Sequence, residues 1–178
     1  MSEIRYPTYA ELEAQLETFR AAPRDGGRVE LIVRRPTSGV REILTSARLD
    51  TDEGLVGDRW FAKPNRQRTE QLTVMCARVV AAFAGSRERW PLAGDQLFVD
   101  LDLSTANLPP GTRLAVGTAV IEVSTEPHLG CKKFRERYGL DAMRFAGSDV
   151  GRALQLRGVN ATVIVSGEVA VGDPLRKL

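Results

Sequence analysis

Apolar positions recur at helical spacing in TYAELEAQLETFRA, where Tyr9, Leu12, Leu16 and Phe19 fall on one face. Thr8 stands ahead of the run as an N-cap, with Glu11 three residues on, the pair that builds a capping box. Pro23, Arg24, Asp25, Gly26 and Gly27 stop that helix, and the period then changes. RVELIVRRP, rich in β-branched and aliphatic residues, predicts a strand, and REILTSARLDTDEGLVGDRW predicts a second extended stretch ending in a turn at Gly54 and Gly57. Phe61 to Glu70 is polar and reads as loop. QLTVM predicts a short strand and ARVVAAFAG a helix capped by Gly85, which places Cys76 at a strand-to-helix junction.

Further on, DQLFVDLDLS, TRLAVG and AVIEVS are short apolar or alternating runs separated by Asn107, Pro109, Pro110, Gly111 and Gly117. HLGCKKFRERYG and LDAMRFAG read as a loop leading into one or two short helices, and ATVIVSGEVAVGDPL as two closing strands around Gly167. Many short strands with few helices, not alternating one for one, predict a β-rich mixed α/β chain: a closed β-barrel with a few peripheral helices. No repeat or linker divides the sequence. Residues 1–27 form an N-terminal helix and loop, and residues 28–178 the barrel domain.

A chain of 178 residues buries one sizeable core, and 43% hydrophobic with 27% charged residues is ordinary globular composition. No apolar run approaches the roughly 20 residues that span a bilayer, and Met1 to Ala10 lacks the order of a secretory signal, so a cytoplasmic protein without membrane attachment is expected. Lys plus Arg (25) barely exceed Asp plus Glu (23), which argues against nucleic acid as a partner. Cys76 and Cys131 are expected as free thiols. A lone histidine, His128, rules out centres that need several imidazoles.

Candidate chemistry gathers in STEPHLGCKKFRERYG, residues 124–139, which holds His128, Cys131, Lys132, Lys133, Arg135 and Arg137. A helix starting near Cys131 and four nearby cations both favour the thiolate, which acts as nucleophile, sulfur carrier or soft metal ligand. The same context also fits a cysteine that packs as a small hydrophobe. His128, three residues before Cys131, is placed to orient or deprotonate the thiol, or to serve as a turn residue. One of Lys132 and Lys133 is expected to face a pocket while the other is solvated. Cys76, at the start of a helix, is placed to line the same pocket as a second thiol, while its apolar neighbours favour simple packing.

H-x-G-C-x-K-F at His128 to Phe134, followed by Tyr138-Gly139, resembles the cysteine signature of MOSC domains, the family named for the C-terminal part of molybdenum cofactor sulfurase. GLVGDRW at Gly54 to Trp60, GDQLFVDLDLSTANLPPGTRLAVG and RGVNATVIVSGEVAVGD resemble other segments of that family in the same order, from about Arg28 to Leu178. The resemblance implies a pyruvate-kinase-barrel-like fold with Cys131 at the mouth of a pocket. It further implies a molybdenum pyranopterin cofactor ligated by Cys131, reduction of N-hydroxylated compounds or sulfur carriage, and, by family description, pyridoxal phosphate binding. Arg59 and Arg68 are the candidates for the cofactor phosphate, with Lys132 beside them. Asp58 is placed to hold Arg59 or to cap a turn. Gln96 stands where the family more often has asparagine and offers its amide to a pterin edge. With no flavin, haem or iron-sulfur motif, a reductase of this kind draws on an electron-donor protein, and a carrier on a sulfur-donor protein. The rival reading is a non-catalytic module that binds a small anionic or heterocyclic ligand.

Overall fold

The computed structural model describes residues 4–178. Thr8 caps a short helix α1 (Tyr9–Glu13): its hydroxyl accepts from Glu11 N–H at 3.2 Å, and the Glu11 carboxylate accepts from Thr8 N–H at 2.8 Å. The expected capping box therefore forms. The single helix foreseen beyond it breaks at Ala14–Gln15 into α1 and α2 (Leu16–Arg20). The broken path buries Leu12 and Phe19 in the core and sets Tyr9 edge-on to Phe145, with ring centroids 5.0 Å apart.

In chain order the strands are β1 (Gly27–Arg34), β2 (Glu42–Leu44), β3 (Ser46–Asp50), β4 (Gly54–Leu55), β5 (Leu72–Cys76), β6 (Leu97–Asp100), β7 (Arg113–Val116), β8 (Ala119–Val123), β9 (Val159–Val165), β10 (Gly167–Ala170) and β11 (Pro174–Lys177). Helix α3 (Ala77–Ala84) follows β5, and α4 (Lys132–Tyr138), α5 (Leu140–Gly147) and α6 (Asp149–Ala153) lie between β8 and β9. Seven strands close a ring in the order β1, β11, β7, β8, β9, β5, β6 and back to β1. Each antiparallel neighbour reverses direction, so a seven-membered ring needs an even number of them; the parallel pair β5–β6 leaves six. That parallel pair requires a crossover, which α3 and the following 3-10 turn (Arg87–Ala93) supply. The closed, mixed barrel with peripheral helices is the fold class expected from the sequence.

β11 pairs with the start of β1 and β2 with its end, while β3, β4 and β10 form a separate three-stranded sheet. A Cβ at Gly27 would lie 2.1 Å from the Asp100 carbonyl oxygen, so only glycine lets β1 begin where β6 and β11 both approach it. Along β8 the buried residues Ala119, Ile121 and Val123 alternate with half-exposed Val120 and Glu122, as expected where only one face is covered. β6 buries Leu97, Phe98 and Val99 in succession because α3 covers its outer face. One apolar cluster runs through the barrel and under its helices, Leu12 and Phe19 included. Among the described residues no helix is long and apolar enough to cross a membrane.

Candidate functional site

The loop after β8 carries His128 and delivers Cys131 to the position that precedes α4. Asn160 ties the loop to β9: its side-chain amide donates to Glu126 O at 3.2 Å, and its carbonyl accepts from Ser124 N–H at 2.9 Å. Cys131 is exposed and borders a cleft of about 240 Å³ that Arg35, Arg41, Arg59, Lys133, Arg137 and Arg157 also line. These cations come from separate segments. Arg35 follows β1, Arg41 precedes β2, Arg59 follows β4 and Arg157 precedes β9, while Lys133 and Arg137 lie one turn apart on α4. Four of them are fastened to consecutive carbonyls at the end of the 3-10 turn. Arg41 Nε donates to Pro91 O (3.2 Å), Arg137 Nη1 to Leu92 O (2.7 Å), Arg157 Nη2 to Ala93 O (3.0 Å) and Arg35 Nη1 to Gly94 O (2.7 Å).

Two buried carboxylates stand behind this wall. Asp58 accepts from Arg35 Nε and Nη2 at 2.9 Å each, and from the backbone N–H groups of Arg35 (2.9 Å) and Trp60 (3.0 Å). Burial pushes the Asp58 carboxyl up, but the Arg35 bonds and charge together with the Trp60 N–H outweigh it and hold the group below its usual range. Arg59 N–H donates to Arg35 O at 2.8 Å, which latches the Asp58–Arg59 turn to the end of β1. Asp95 accepts from Arg157 Nη1 at 2.7 Å, and the Arg157 guanidinium lies over Phe134, 4.9 Å from the ring centroid.

Six cations thus face two carboxylates, and neither carboxylate lines the cleft. Arg41 records the imbalance: burial lowers its pKa, and the like charges of Arg137, Arg35 and Arg59 lower it further against the opposing pull of Asp58. A cluster of this kind favours a bound anion. Arg59 Nε, Arg157 Nε and His128 Nδ1 are buried without a hydrogen-bond partner, a condition that costs about 1–3 kcal/mol per group. His128 Nδ1 lies 3.4 Å from Asp95 Oδ1 without an aligned hydrogen bond. Burial, then the Arg157 charge, bring its pKa down to about 4 despite Asp95, so the imidazole is neutral at pH 7.

No family model and no curated protein sequence matches the chain. Solved structures do match. The YuaD protein from Bacillus subtilis aligns with a TM-score of 0.64 at 19% identity, covering 84% of this chain and 93% of that one. YiiM from Geobacillus stearothermophilus gives 0.61 at 14% identity over 85% and 75% of the two chains, and YiiM from Escherichia coli 0.56 at 21% over 85% and 69%. The chain has the fold of YuaD and YiiM.

On this YuaD-type barrel, Cys131, His128 and Arg59 line one cleft, and Asp58 sits just behind it, bonded to Arg35 rather than Arg59. Arg68 does not join them. Its 3-10 turn (Arg68–Glu70) is tied to β9 by the Thr162 hydroxyl donating to Arg68 O at 2.7 Å, and its guanidinium donates to Thr51 O at 3.2 Å beside a separate hollow with Trp60 and Arg66. Gln96 is fully buried. Its carbonyl accepts from the Thr73 N–H (2.8 Å) and hydroxyl (2.9 Å), and its amide nitrogen donates to Gln71 O at 3.4 Å, so it positions Thr73 at the cleft and presents no edge to a ligand. Lys132 is exposed and pairs with Glu136 at 3.8 Å; Lys133 is the lysine that lines the cleft. Cys76 is buried, and burial pushes its thiol up. Sequence reasoning passed over Arg35, Arg41, Asp95 and Arg157. The available signal was charge abutting the ends of apolar strands, as in RVELIVRR and LRGVNATVIV.

Proposed function

We propose that this chain is a MOSC-domain protein whose cationic cleft binds the phosphate-bearing pyranopterin of a molybdenum cofactor, with Cys131 as the protein's ligand to the metal. The observation that carries the reading is the exposed Cys131 thiol on the rim of a cleft lined by six cations and no carboxylate. The residues fit the group. Among the described residues no cluster of three or more His, Cys, Asp or Glu side chains is placed to hold a metal, so further ligands come from the cofactor itself, as a pterin dithiolate provides. YuaD and YiiM are MOSC-domain proteins, which supports the family reading through the shared barrel.

Arg59, with its unpartnered Nε, and Arg35, held rigid by Asp58, would bind the phosphate; Lys133 and Arg137 would add charge from α4. When bound, the cofactor supplies the redox-active metal for removing oxygen from an N-hydroxylated substrate. His128, neutral at pH 7, would keep a proton on one ring nitrogen beside Asp95 without adding to the positive charge. Electrons would come from a partner protein.

The exposure of Cys131 also favours a second version, in which the thiol carries a persulfide sulfur from a donor protein. Metal analysis of protein from a molybdate-replete host, with Cys131→Ala and Arg59→Ala beside it, tests the first version. Stoichiometric molybdenum that is lost with Cys131→Ala supports ligation. If no molybdenum is found and the intact mass is one sulfur atom heavier only when Cys131 is present, the carrier version stands instead. If neither appears while inorganic phosphate still binds, the chain is a binding module.

A further inference from the structure

Behind the Cys131 loop lies a second hollow of about 440 Å³, nearly twice the volume of the first. Its lining is largely apolar, with Pro127, Leu129, Met143 and Ala146 contributing, and it contains no acidic side chain. Two arginines line it, Arg152 from α6 and Arg157 from the segment before β9, the latter paired with the buried Asp95. Arg157 is 7% exposed, and its Nε has no partner. His128 and Arg157 line both hollows and so form the partition between them.

The backbone around this space is shaped at a cost. Gln155, which also lines it, has φ of 50°, the one non-glycine residue with positive φ among the described residues, and its side-chain amide anchors it by donating to Leu103 O at 2.8 Å. Gly147 also lines the hollow, and a Cβ there would meet nothing within 4 Å.

We propose that this hollow is a second binding site, for a small apolar acid: a ring system or short hydrocarbon body bearing one carboxylate. The body lies against Leu129, Met143 and Ala146, and the carboxylate meets Arg152, with the Arg157 guanidinium, its charge shared with Asp95, in the wall behind it. Apolar walls with one or two convergent cations are the chemistry that fixes such a ligand in a single orientation. Because His128 and Arg157 face both spaces, an occupant of this hollow sits one side chain away from the Cys131 cleft.

Isothermal titration calorimetry of the wild-type chain with 2-naphthoate tests the proposal, and neither metal nor the Cys131 thiol enters it. One-to-one binding is expected. Gly147→Phe, at a position outside the left-handed region with space for the ring, is expected to weaken it by roughly tenfold or more. Arg152→Glu is expected to weaken 2-naphthoate by roughly tenfold and to leave the neutral 2-naphthamide unchanged. Arg152 is exposed, so this second variant carries the test should the first fail to fold. Absence of binding to the wild type, or affinity untouched by both variants, overturns the proposal. Either outcome is independent of whether molybdenum is retained, so the two readings fail separately.

Discussion

Asp58→Ala removes the carboxylate that holds Arg35 in the wall of the cleft. The side chain is buried and accepts four hydrogen bonds, two of them from the Arg35 guanidinium and two from backbone N–H groups. Alanine leaves Arg35 with no carboxylate among five other cations. Breaking a buried pair by removing one partner costs about 3–5 kcal/mol, a large part of a typical stability of about 5–15 kcal/mol. With a urea m-value of about 2 kcal/mol/M, the unfolding midpoint falls by about 2 M. Trp60 and Trp90, both buried, report the transition by fluorescence. Replacing both partners, Asp58→Leu with Arg35→Met, removes the lone charge and is expected to cost much less than the sum of the single changes. The carboxyl is held below its usual range, so its contribution is complete above pH about 4 and is lost as pH falls through the lower, folded value. Asp58→Ala therefore flattens that part of the acid limb. A loss under about 1 kcal/mol, or singles that simply add, refutes the view that Arg35 is held by this pair.

His128 gives a second acid effect: with a pKa near 6.5 unfolded and about 4 folded, it contributes no penalty above pH 6.5 and destabilises progressively down to pH 4, by about 3 kcal/mol in total. Urea melts across that window should lose this slope in His128→Asn, and an unchanged slope counts against the buried, neutral imidazole. A native Ellman titration is expected to find one reactive thiol, Cys131, and a second, Cys76, only in denaturant; rapid modification of Cys131→Ala would contradict this. Inorganic phosphate at a hundredfold excess over its Kd should add about 2.7 kcal/mol of stability, read as a rise in Tm that Arg59→Ala reduces. A wild-type Tm independent of phosphate removes the anion-site reading.

Local patterns carried the fold because barrels announce themselves in punctuation: short apolar runs such as TRLAVG and AVIEVS, parted by glycine and proline, became β7 and β8 with their alternation intact. The capping box at Thr8 and Glu11 was equally local and equally legible. The break between α1 and α2 was not, because burial of Leu12 and Phe19 against distant residues sets it. For the site, Cys131 and His128 stood out by type and neighbourhood. Arg35, Arg41 and Arg157 did not, since 25 basic residues spread along the chain give no hint of which meet. Arg68 and Gln96 illustrate the converse: their chemistry suits a ligand, but Arg68 lies beside a separate hollow and the hydrogen bonds of Gln96 to Thr73 and Gln71 occupy its amide.

What keeps the cleft positive is the kind of acceptor that holds its arginines. A guanidinium bonded to a carboxylate has its charge partly offset where it stands, whereas one bonded to a carbonyl is oriented and keeps its charge in full. Pro91, Leu92, Ala93 and Gly94 present four successive carbonyls, each taken by a different arginine, and only Arg35 and Arg157 also have a carboxylate. The turn can do this because Gly94, with φ of 85°, ends it and leaves the carbonyls there open to side chains; Pro91 O is shared between Arg41 and the Gly94 N–H, which donates to it at 3.1 Å. Repulsion among the guanidiniums is borne by these bonds, and after burial it is what lowers the Arg41 pKa, through Arg137, Arg35 and Arg59. Such a wall is most stable with an anion against it, and the Cys131 thiol stands beside the place that anion would occupy.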